Sequence, residues 1–346
     1  MPTKVGVSVD FSREKLDRRI SVAPMMDWTD RHCRYFLRGF SADVLLYTEM
    51  ITAAAILRGN RERLLAYDPA EHPLALQLGG SEPADLAAAA RIGADFGYDE
   101  INLNCGCPSD RVHSGAFGAC LMLEPARVAD CVAAMHAAVR LPVTVKMRIG
   151  VVSGAGVAAR EAIARFSEGD AVALMGFVDA VRDAGAAAVI VHARKAVLGG
   201  LSPKENREVP PLRYQVVRAV KQRNPDLPVI LNGGLREAGA VIAALSWCDG
   251  VMLGREAYHR PWLLHELHRA LGSGTAAPEP VRGALLERMA VYAARELARG
   301  ERLPSITRHM LGLYAGEPGA REYRRLLSEG ARAPGAGAEL LRRAAK

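Results

Sequence analysis

The stretch Asn102-Leu103-Asn104-Cys105-Gly106-Cys107-Pro108 brings two thiols and two nearby carboxamides to the end of a short alternating run, residues 100–103. Ile101 and Leu103 share one face of that run, so it reads as a strand that stops in a polar, Gly/Pro-terminated turn. Such a turn delivers a thiol and amides to the rim of a sheet, where the wall of an active site is built. The spacing leaves several roles for the cysteines: half a metal site, small apolar filling, or an acid–base group. A zinc site needs about four ligands, commonly supplied in pairs. No second Cys pair follows and His113 is the one nearby candidate, so no metal is expected. A disulfide within Cys-x-Cys is strained. Cys107, between Gly106 and Pro108, is the better catalytic candidate, and Cys105 is expected to point into packing.

Two other groups of residues carry chemistry. Asn232-Gly233-Gly234 and Gly254-Arg255 each end an apolar run. Glycines there let backbone amides approach a phosphate, the helix start behind them adds a favourable dipole, and Arg255 can close the site with a bidentate contact. Lys146 is a charge at the end of the hydrophobic run 143–147. It needs an electron-rich partner: the pyrimidine edge of a flavin, a substrate carbonyl in Schiff-base chemistry, or a barrel carboxylate such as Glu49.

The elements that position these groups follow from periodicity. Apolar runs of strand length recur at 20–23, 42–47, 74–78, 100–103, 143–147, 188–191, 229–231 and 250–253. Between them lie Ala-rich amphipathic stretches of helical period, including 83–96, 125–139, 170–184, 212–223 and 238–246. Strands alternating with helices over this length predict a (β/α)8 TIM barrel, an α/β fold, with an open doubly wound sheet as the alternative. A barrel places its chemistry at the C-terminal strand ends. There stand Pro24-Met25-Met26-Asp27, Glu49, Gln77, Asn104 with Cys107, Lys146 with Arg148, His192 with Arg194 and Lys195, and the two glycine turns. The segment 150–164 has no strong pattern and reads as a long loop over the mouth.

Residues 1–271 would form the barrel, 272–280 a Gly/Pro-rich linker, and 281–346 a small basic helical domain. The net charge is +7, and 281–346 carries 13 Lys and Arg against 7 Glu, a difference of +6. Twelve of those 13 are Arg, whose planar fork suits phosphate, so a polyanionic partner and an Arg-rich solvated surface are both open readings. Six scattered cysteines do not form a disulfide framework, the first 19 residues are polar and charged, and no apolar run reaches membrane length. A reduced, soluble, cytoplasmic protein is expected.

Taken jointly and in order, these residues resemble the tRNA-dihydrouridine synthases over almost the whole chain. The resemblance is carried by Ala23-Pro24-Met25-Met26-Asp27-Trp28-Thr29-Asp30, Leu76-Gln77-Leu78-Gly79-Gly80, the 102–109 stretch and Val145-Lys146-Met147-Arg148-Ile149-Gly150. It continues through Val191-His192-Ala193-Arg194-Lys195, Asn232-Gly233-Gly234 and the 249–255 run. The run 200–212 with Thr307-Arg308-His309-Met310-Leu311 is similar to the A subfamily, which acts on uridines 20 and 20a of the tRNA D-loop. The 150–164 segment departs from the pattern of that subfamily, and Cys105 replaces what is often an aliphatic residue.

The resemblance implies an FMN enzyme that reduces the C5–C6 double bond of uridine in tRNA, with NADPH first reducing the flavin. Pro24, Met25 and Met26 would line the flavin ring, Gln77 and Lys146 would bind its polar edge, and His192 would lie near it. Asn232, Gly233, Gly234, Gly254 and Arg255 would hold its phosphate. Cys107 would protonate C5, Asn104 would contact the target base, and Lys204, Arg207, Arg308, Arg324 and Arg325 would grip the tRNA. A monomer with no membrane or DNA partner is expected. Two readings from other classes remain beside it: a phosphosugar aldolase or isomerase using Lys146, and a non-catalytic RNA-binding protein.

Overall fold

A computed structural model of the chain describes residues 16–109, 117–154, 156–272 and 281–345. His113 and most of the expected linker lie outside them. The strands, in chain order, are β1 (Ile20–Val22), β2 (Leu46–Tyr47), β3 (Ile51–Thr52), β4 (Leu74–Gly79), β5 (Glu100–Cys105), β6 (Val143–Arg148), β7 (Val151–Ser153), β8 (Ala188–His192), β9 (Ala196–Leu198), β10 (Val229–Asn232) and β11 (Gly250–Leu253). The main sheet runs β1-β11-β10-β8-β6-β5-β4-β2, with parallel neighbours throughout. Its ends meet where Val22 N–H donates to the Leu45 carbonyl at 3.0 Å and Leu45 N–H donates to the Ile20 carbonyl at 3.1 Å. That closure makes the sheet the expected (β/α)8 barrel and rules out the open doubly wound alternative.

Two segments differ from their sequence reading. Of the run 42–47, only Leu46–Tyr47 pairs with β4 as a strand, and after a break β3 rejoins the far end of β4 with Ile51 opposite Leu78. Thr48 occupies the break: its hydroxyl takes the Gln77 N–H at 3.0 Å and donates to the Glu49 carbonyl at 2.7 Å. The segment 150–164 is not a loop. It forms β7, paired in parallel with β9, and the helix Val157–Ala164. Val152, Ala159, Ile163 and Val197 give this annex its own small core. Lys195 fastens it by an ion pair to Asp170 at 2.7 Å and a bond to the Ala162 carbonyl at 2.9 Å.

Small residues let the helical layer lie close to the barrel. The helices Pro83–Asp95 and Pro125–Ala138 each begin with a proline, whose missing N–H is no loss in a first turn. In the first, a Cβ added to Gly93 would fall 2.6 Å from Leu76 Cδ2. The C-terminal helices continue the same core: Leu285, Leu286, Met289 and Tyr292 of the helix Arg282–Ala298 cluster with Phe36, Leu37 and Phe40. Tyr35 stacks on Tyr292 with ring centroids 4.0 Å apart, and Arg31 donates to Glu296 and to Glu301 at 2.6 Å each.

Asp30 joins the two ends of the chain. Its carboxylate caps the helix Arg31–Leu37 by accepting from the His32 and Cys33 N–H groups at 3.0 Å. It also accepts from Arg308 Nη2 at 2.6 Å and faces His309 Nε2 at 3.0 Å. Burial opposes its charge, but His309, the capping N–H and Arg308 together hold the carboxyl well below the usual carboxylate range. A group depressed in this way contributes stability above its unfolded pKa, about 3.9, and loses that contribution as pH falls further. Asp30→Ala should cost on the order of 2–4 kcal/mol near neutral pH in urea unfolding, by losing a cap and a buried ionic partner. The gap to the unsubstituted protein should narrow progressively below about pH 4.

Candidate active site

Strand register sets the inward-facing side chains in rows. Gln77, Asn102 and Thr144 are neighbours across β4, β5 and β6. Asn104 lies opposite Lys146, and Arg148, His192 and Asn232 are adjacent across β6, β8 and β10. The apolar interior is a separate cluster of Tyr47, Ala75, Ala188, Ile190, Ile230, Met252 and their neighbours. The polar rows therefore run up five adjoining strands, β4, β5, β6, β8 and β10, toward their C-terminal ends.

The turn carrying Cys107 is held from three sides. Asn104 Oδ1 accepts the N–H groups of Gly106 and Cys107, both at 3.0 Å. The Gly106 carbonyl accepts from Arg148 Nε at 3.2 Å, and the Cys107 carbonyl accepts from Ala119 N–H at 2.9 Å. The Cys107 thiol is half-buried and donates to Ser109 Oγ at 3.4 Å. Cys105, one residue from the turn glycine, is fully buried in the outer core. Asn104 is part of β5 rather than the turn after it, and its Nδ2 donates to Gln77 Oε1 and Met50 Sδ at 3.1 Å. Both ends of its carboxamide are thus engaged within the protein.

Cations without carboxylates surround this thiol. Lys146 makes no ion pair among the described residues, so of the three partners open to it the barrel carboxylate Glu49 is not the one used. Burial, with Arg148 nearby, pushes its amine down to about 7, against the opposing influence of Cys107. Arg148 spends its guanidinium on the carbonyls of Gly106, Lys195 and Asn206, and burial pushes it down to about 10. Burial, Arg148 and Lys146 hold the His192 imidazole well below its ordinary value, so the ring is neutral. Its Nδ1 is buried without a partner. Unpaired buried cations and an orphaned ring nitrogen mark a site shaped for an anionic, hydrogen-bonding ligand.

The glycine turns fit that ligand. Gly233 and Gly234 have φ of +112° and +73°, in the left-handed region that side chains rarely adopt. A Cβ on Gly233 would press on His192 Nε2 at 3.1 Å, and one on Gly234 would meet the Tyr214 hydroxyl at 3.0 Å. Tyr214 donates to the Gly233 carbonyl at 2.7 Å, and Asn232 Nδ2 donates to the Met252 carbonyl at 2.7 Å. Gly254 caps the short helix Arg255–His259, and Arg255 pairs with Glu208 at 2.6 Å. After the adjoining strand β1, the Thr29 hydroxyl accepts the Met25 N–H at 2.9 Å and so closes the turn of Pro24, Met25 and Met26; Met26 is exposed.

The expected tRNA residues fall into separate places. Lys204 and Arg207 flank the turn Glu205–Arg207 on the mouth side, where Arg207 and Cys107 influence each other electrostatically. Arg324 and Arg325 are exposed on the helix Ala320–Gly330. Arg308 is committed to Asp30. Sequence reading gave no separate role to Glu100, Asn102 or Thr144, which continue the polar row inward. The signal was present in the alternation of Glu100, Asn102 and Asn104 against Ile101, Leu103 and Cys105 within one strand.

A closed parallel barrel whose mouth gathers a thiol, carboxamides, unpaired cations and two glycine turns defines the class: a barrel enzyme that handles an anionic ligand at its strand ends. Residues 21–346 match the dihydrouridine synthase (Dus) family, and the chain belongs to that family. It is 56% identical over 328 residues to a tRNA-dihydrouridine(20/20a) synthase of Xanthomonas campestris pv. campestris, covering 95% of this chain and 93% of that one. It is 55% identical over 313 residues to the protein of the same description from Pseudomonas aeruginosa, covering 90% of each. A third such relative, from Pseudomonas syringae pv. tomato, is 52% identical over 328 residues, 95% of this chain and 93% of that one.

Lys146 yields a test of the site's electrostatics. Its folded pKa lies below the unfolded value near about 10.4, so the unfolded state binds more protons between the two and stability from this group rises with pH there. The penalty is complete below the folded value. Lys146→Met should therefore stabilise the ligand-free protein by on the order of a few kcal/mol at pH 6. The gain should shrink toward zero as pH approaches about 10, read by denaturant titration across pH.

Proposed function

We propose that the protein is a flavin-dependent tRNA-dihydrouridine synthase that reduces the C5–C6 double bond of D-loop uridines 20 and 20a, acting as a cytoplasmic monomer. The observation that carries the reading is the Cys107 thiol held beside Lys146 and Arg148 at the mouth of a barrel of this family. The relatives described as tRNA-dihydrouridine(20/20a) synthases support the choice of uridines. Membership of this family also removes the aldolase and the non-catalytic RNA-binding readings. No described helix is long and apolar enough to cross a membrane.

The residues fit FMN. Lys146 is a buried amine with no carboxylate partner among the described residues, His192 Nδ1 lacks a hydrogen bond, and Gly233 and Gly234 hold left-handed turns where an added Cβ would press on His192 and Leu212, so that backbone stays free of side chains. Gln77 and Lys146 would hold its polar edge, Pro24 to Met26 its ring face, and Asn232 to Gly234 with Gly254 and Arg255 its phosphate. Bound there, FMN reduced by NADPH would supply the hydride for C6 of the uracil. Cys107 donates its proton to C5, completing addition of two hydrogens across the double bond.

The target uridine must leave its stack to enter the mouth. Arg207 and Lys204 stand at that rim, and Arg324 and Arg325 offer free guanidinium groups to the RNA backbone. Asn104 contacts the base only if it yields its bond to Met50 or Gln77; its carboxamide oxygen is already taken by the Cys107 turn.

Two tests follow from this assignment. Cys107→Ala should leave NADPH-dependent flavin reduction and tRNA affinity intact while lowering dihydrouridine formation by about 10²-fold or more, as loss of a general acid does. Loss of flavin reduction in that variant would count against the role given to the thiol. Arg324→Glu with Arg325→Glu should weaken tRNA binding and reduce its salt slope by about 1–2, with flavin content unchanged.

A further inference from the structure

An unbroken line of hydrogen bonds runs from the inner end of the barrel to the Cys107 turn. Glu100 Oε2 accepts from Arg18 Nε at 2.8 Å, and Oε1 accepts from the Tyr47 and Thr144 hydroxyls at 2.6 Å each. Thr144 Oγ1 accepts from Asn102 Nδ2 at 2.8 Å, and Asn102 Oδ1 accepts from Gln77 Nε2 at 2.8 Å. Gln77 Oε1 accepts from Asn104 Nδ2 at 3.1 Å, and Asn104 Oδ1 accepts the Gly106 and Cys107 N–H groups at 3.0 Å. Glu100, Thr144, Asn102, Gln77 and Asn104 are all buried, so water does not offer them substitutes.

The direction of this line is forced from both ends. A carboxylate only accepts, so Thr144 must donate to Glu100 and present its lone pair to Asn102, which turns each following amide the same way. A backbone N–H only donates, so Asn104 must present its oxygen to the turn, which forces the same sequence of orientations in reverse. Each carboxamide has its flipped state excluded by a group several side chains away. We infer that Glu100 is a positioning residue: through Thr144, Asn102 and Gln77 it orients the Asn104 carboxamide and thereby the turn that presents the Cys107 thiol. The consequence for turnover rests on the role proposed above for Cys107; the orientation of the turn does not.

Glu100→Gln separates this from a simple structural contribution. The new amide must place its oxygen toward Arg18, because its NH2 would face that guanidinium otherwise. Its NH2 then points at the Thr144 and Tyr47 hydroxyls, which must accept from it; the Thr144 proton, displaced from residue 100, turns toward Asn102, which biases the line to reverse and brings the Asn104 NH2 against two N–H donors. Removing the guanidinium as well, in Arg18→Met with Glu100→Gln, lets the amide turn its oxygen back to Thr144. The pair of substitutions should restore the direction although it abolishes the ion pair.

The experiment uses the full-length flavin-loaded protein. Alkylation of Cys107 by iodoacetamide is followed by mass spectrometry of its peptide, with the half-buried Cys120 as internal reference. Single-turnover dihydrouridine formation and tRNA affinity are measured beside it. Glu100→Gln should raise Cys107 alkylation severalfold and slow the single turnover about tenfold, the worth of one buried hydrogen bond, at unchanged tRNA affinity. The double variant should return both toward the unsubstituted values. Normal Cys107 reactivity in folded Glu100→Gln overturns the inference, as does a double variant that is folded but no better than the single one. Should Glu100→Gln not fold, Thr144→Val breaks the line without touching the ion pair, and unchanged Cys107 alkylation there overturns it equally. Absence of dihydrouridine formation by the unsubstituted protein, with Cys107 alkylation still responding to Glu100→Gln, would refute the proposed activity and leave this inference standing.

Discussion

The polar groups buried below the barrel mouth find their partners inside the barrel, and that requirement shapes the interior around them. Half of the interior is filled conventionally, by Tyr47, Ala75, Ile190, Ile230 and Met252. The other half is a column of carboxylate, hydroxyl and amides, in which a single unsatisfied group would cost roughly 1–3 kcal/mol. Apolar residues of similar volume would fill that space at no such risk. What the polar column provides is uniqueness of orientation, because its members hold each other in one arrangement.

Above that column the charges are left open. Lys146 and Arg148 are desolvated cations without carboxylates, His192 is neutral with an unsatisfied nitrogen, and Arg207 stands close by. Elsewhere the protein pairs its cations readily: Arg18 with Glu100, Arg34 with Glu71, Arg31 with Glu296 and Lys195 with Asp170. The contrast separates structural from functional charge. The ion pairs that hold elements together are closed, whereas Lys146 and Arg148 have no carboxylate partner among the described residues.

Much of this was legible in the sequence because a barrel converts linear order into a ring: each apolar run ended in a polar residue, and the ring collected them. The family motifs carried the rest of the site. What escaped reading has physical causes. The second strand is broken because a Thr48 side chain stands in for ladder bonds, and no periodicity reports that. The annex after β6 rests on a three-residue strand paired with an equally short one, too brief for alternation to register. Arg308 reads as an RNA contact by its type, and its ion pair with Asp30, 278 positions away in sequence, leaves no local signal. Glu100 reads as the start of a strand, and its alternation with Ile101 already places it on the face of Asn102 and Asn104.

The Asp30 junction also bears on how the chain is made. Asp30 leaves the ribosome early, while Arg308 and His309 follow only after 278 or more further residues. At about 5–20 residues per second, that interval is roughly 15–55 s. Throughout it the first helix keeps its cap but lacks its ionic partners. β1 likewise waits for β11, presenting an unpaired parallel edge until residue 250 has emerged. The nascent barrel therefore stays an open sheet until β11 has emerged, and the docking of the last helices follows that closure. A translational pause just before β11 would prolong this aggregation-exposed state, whereas the same pause before most strands exist would not.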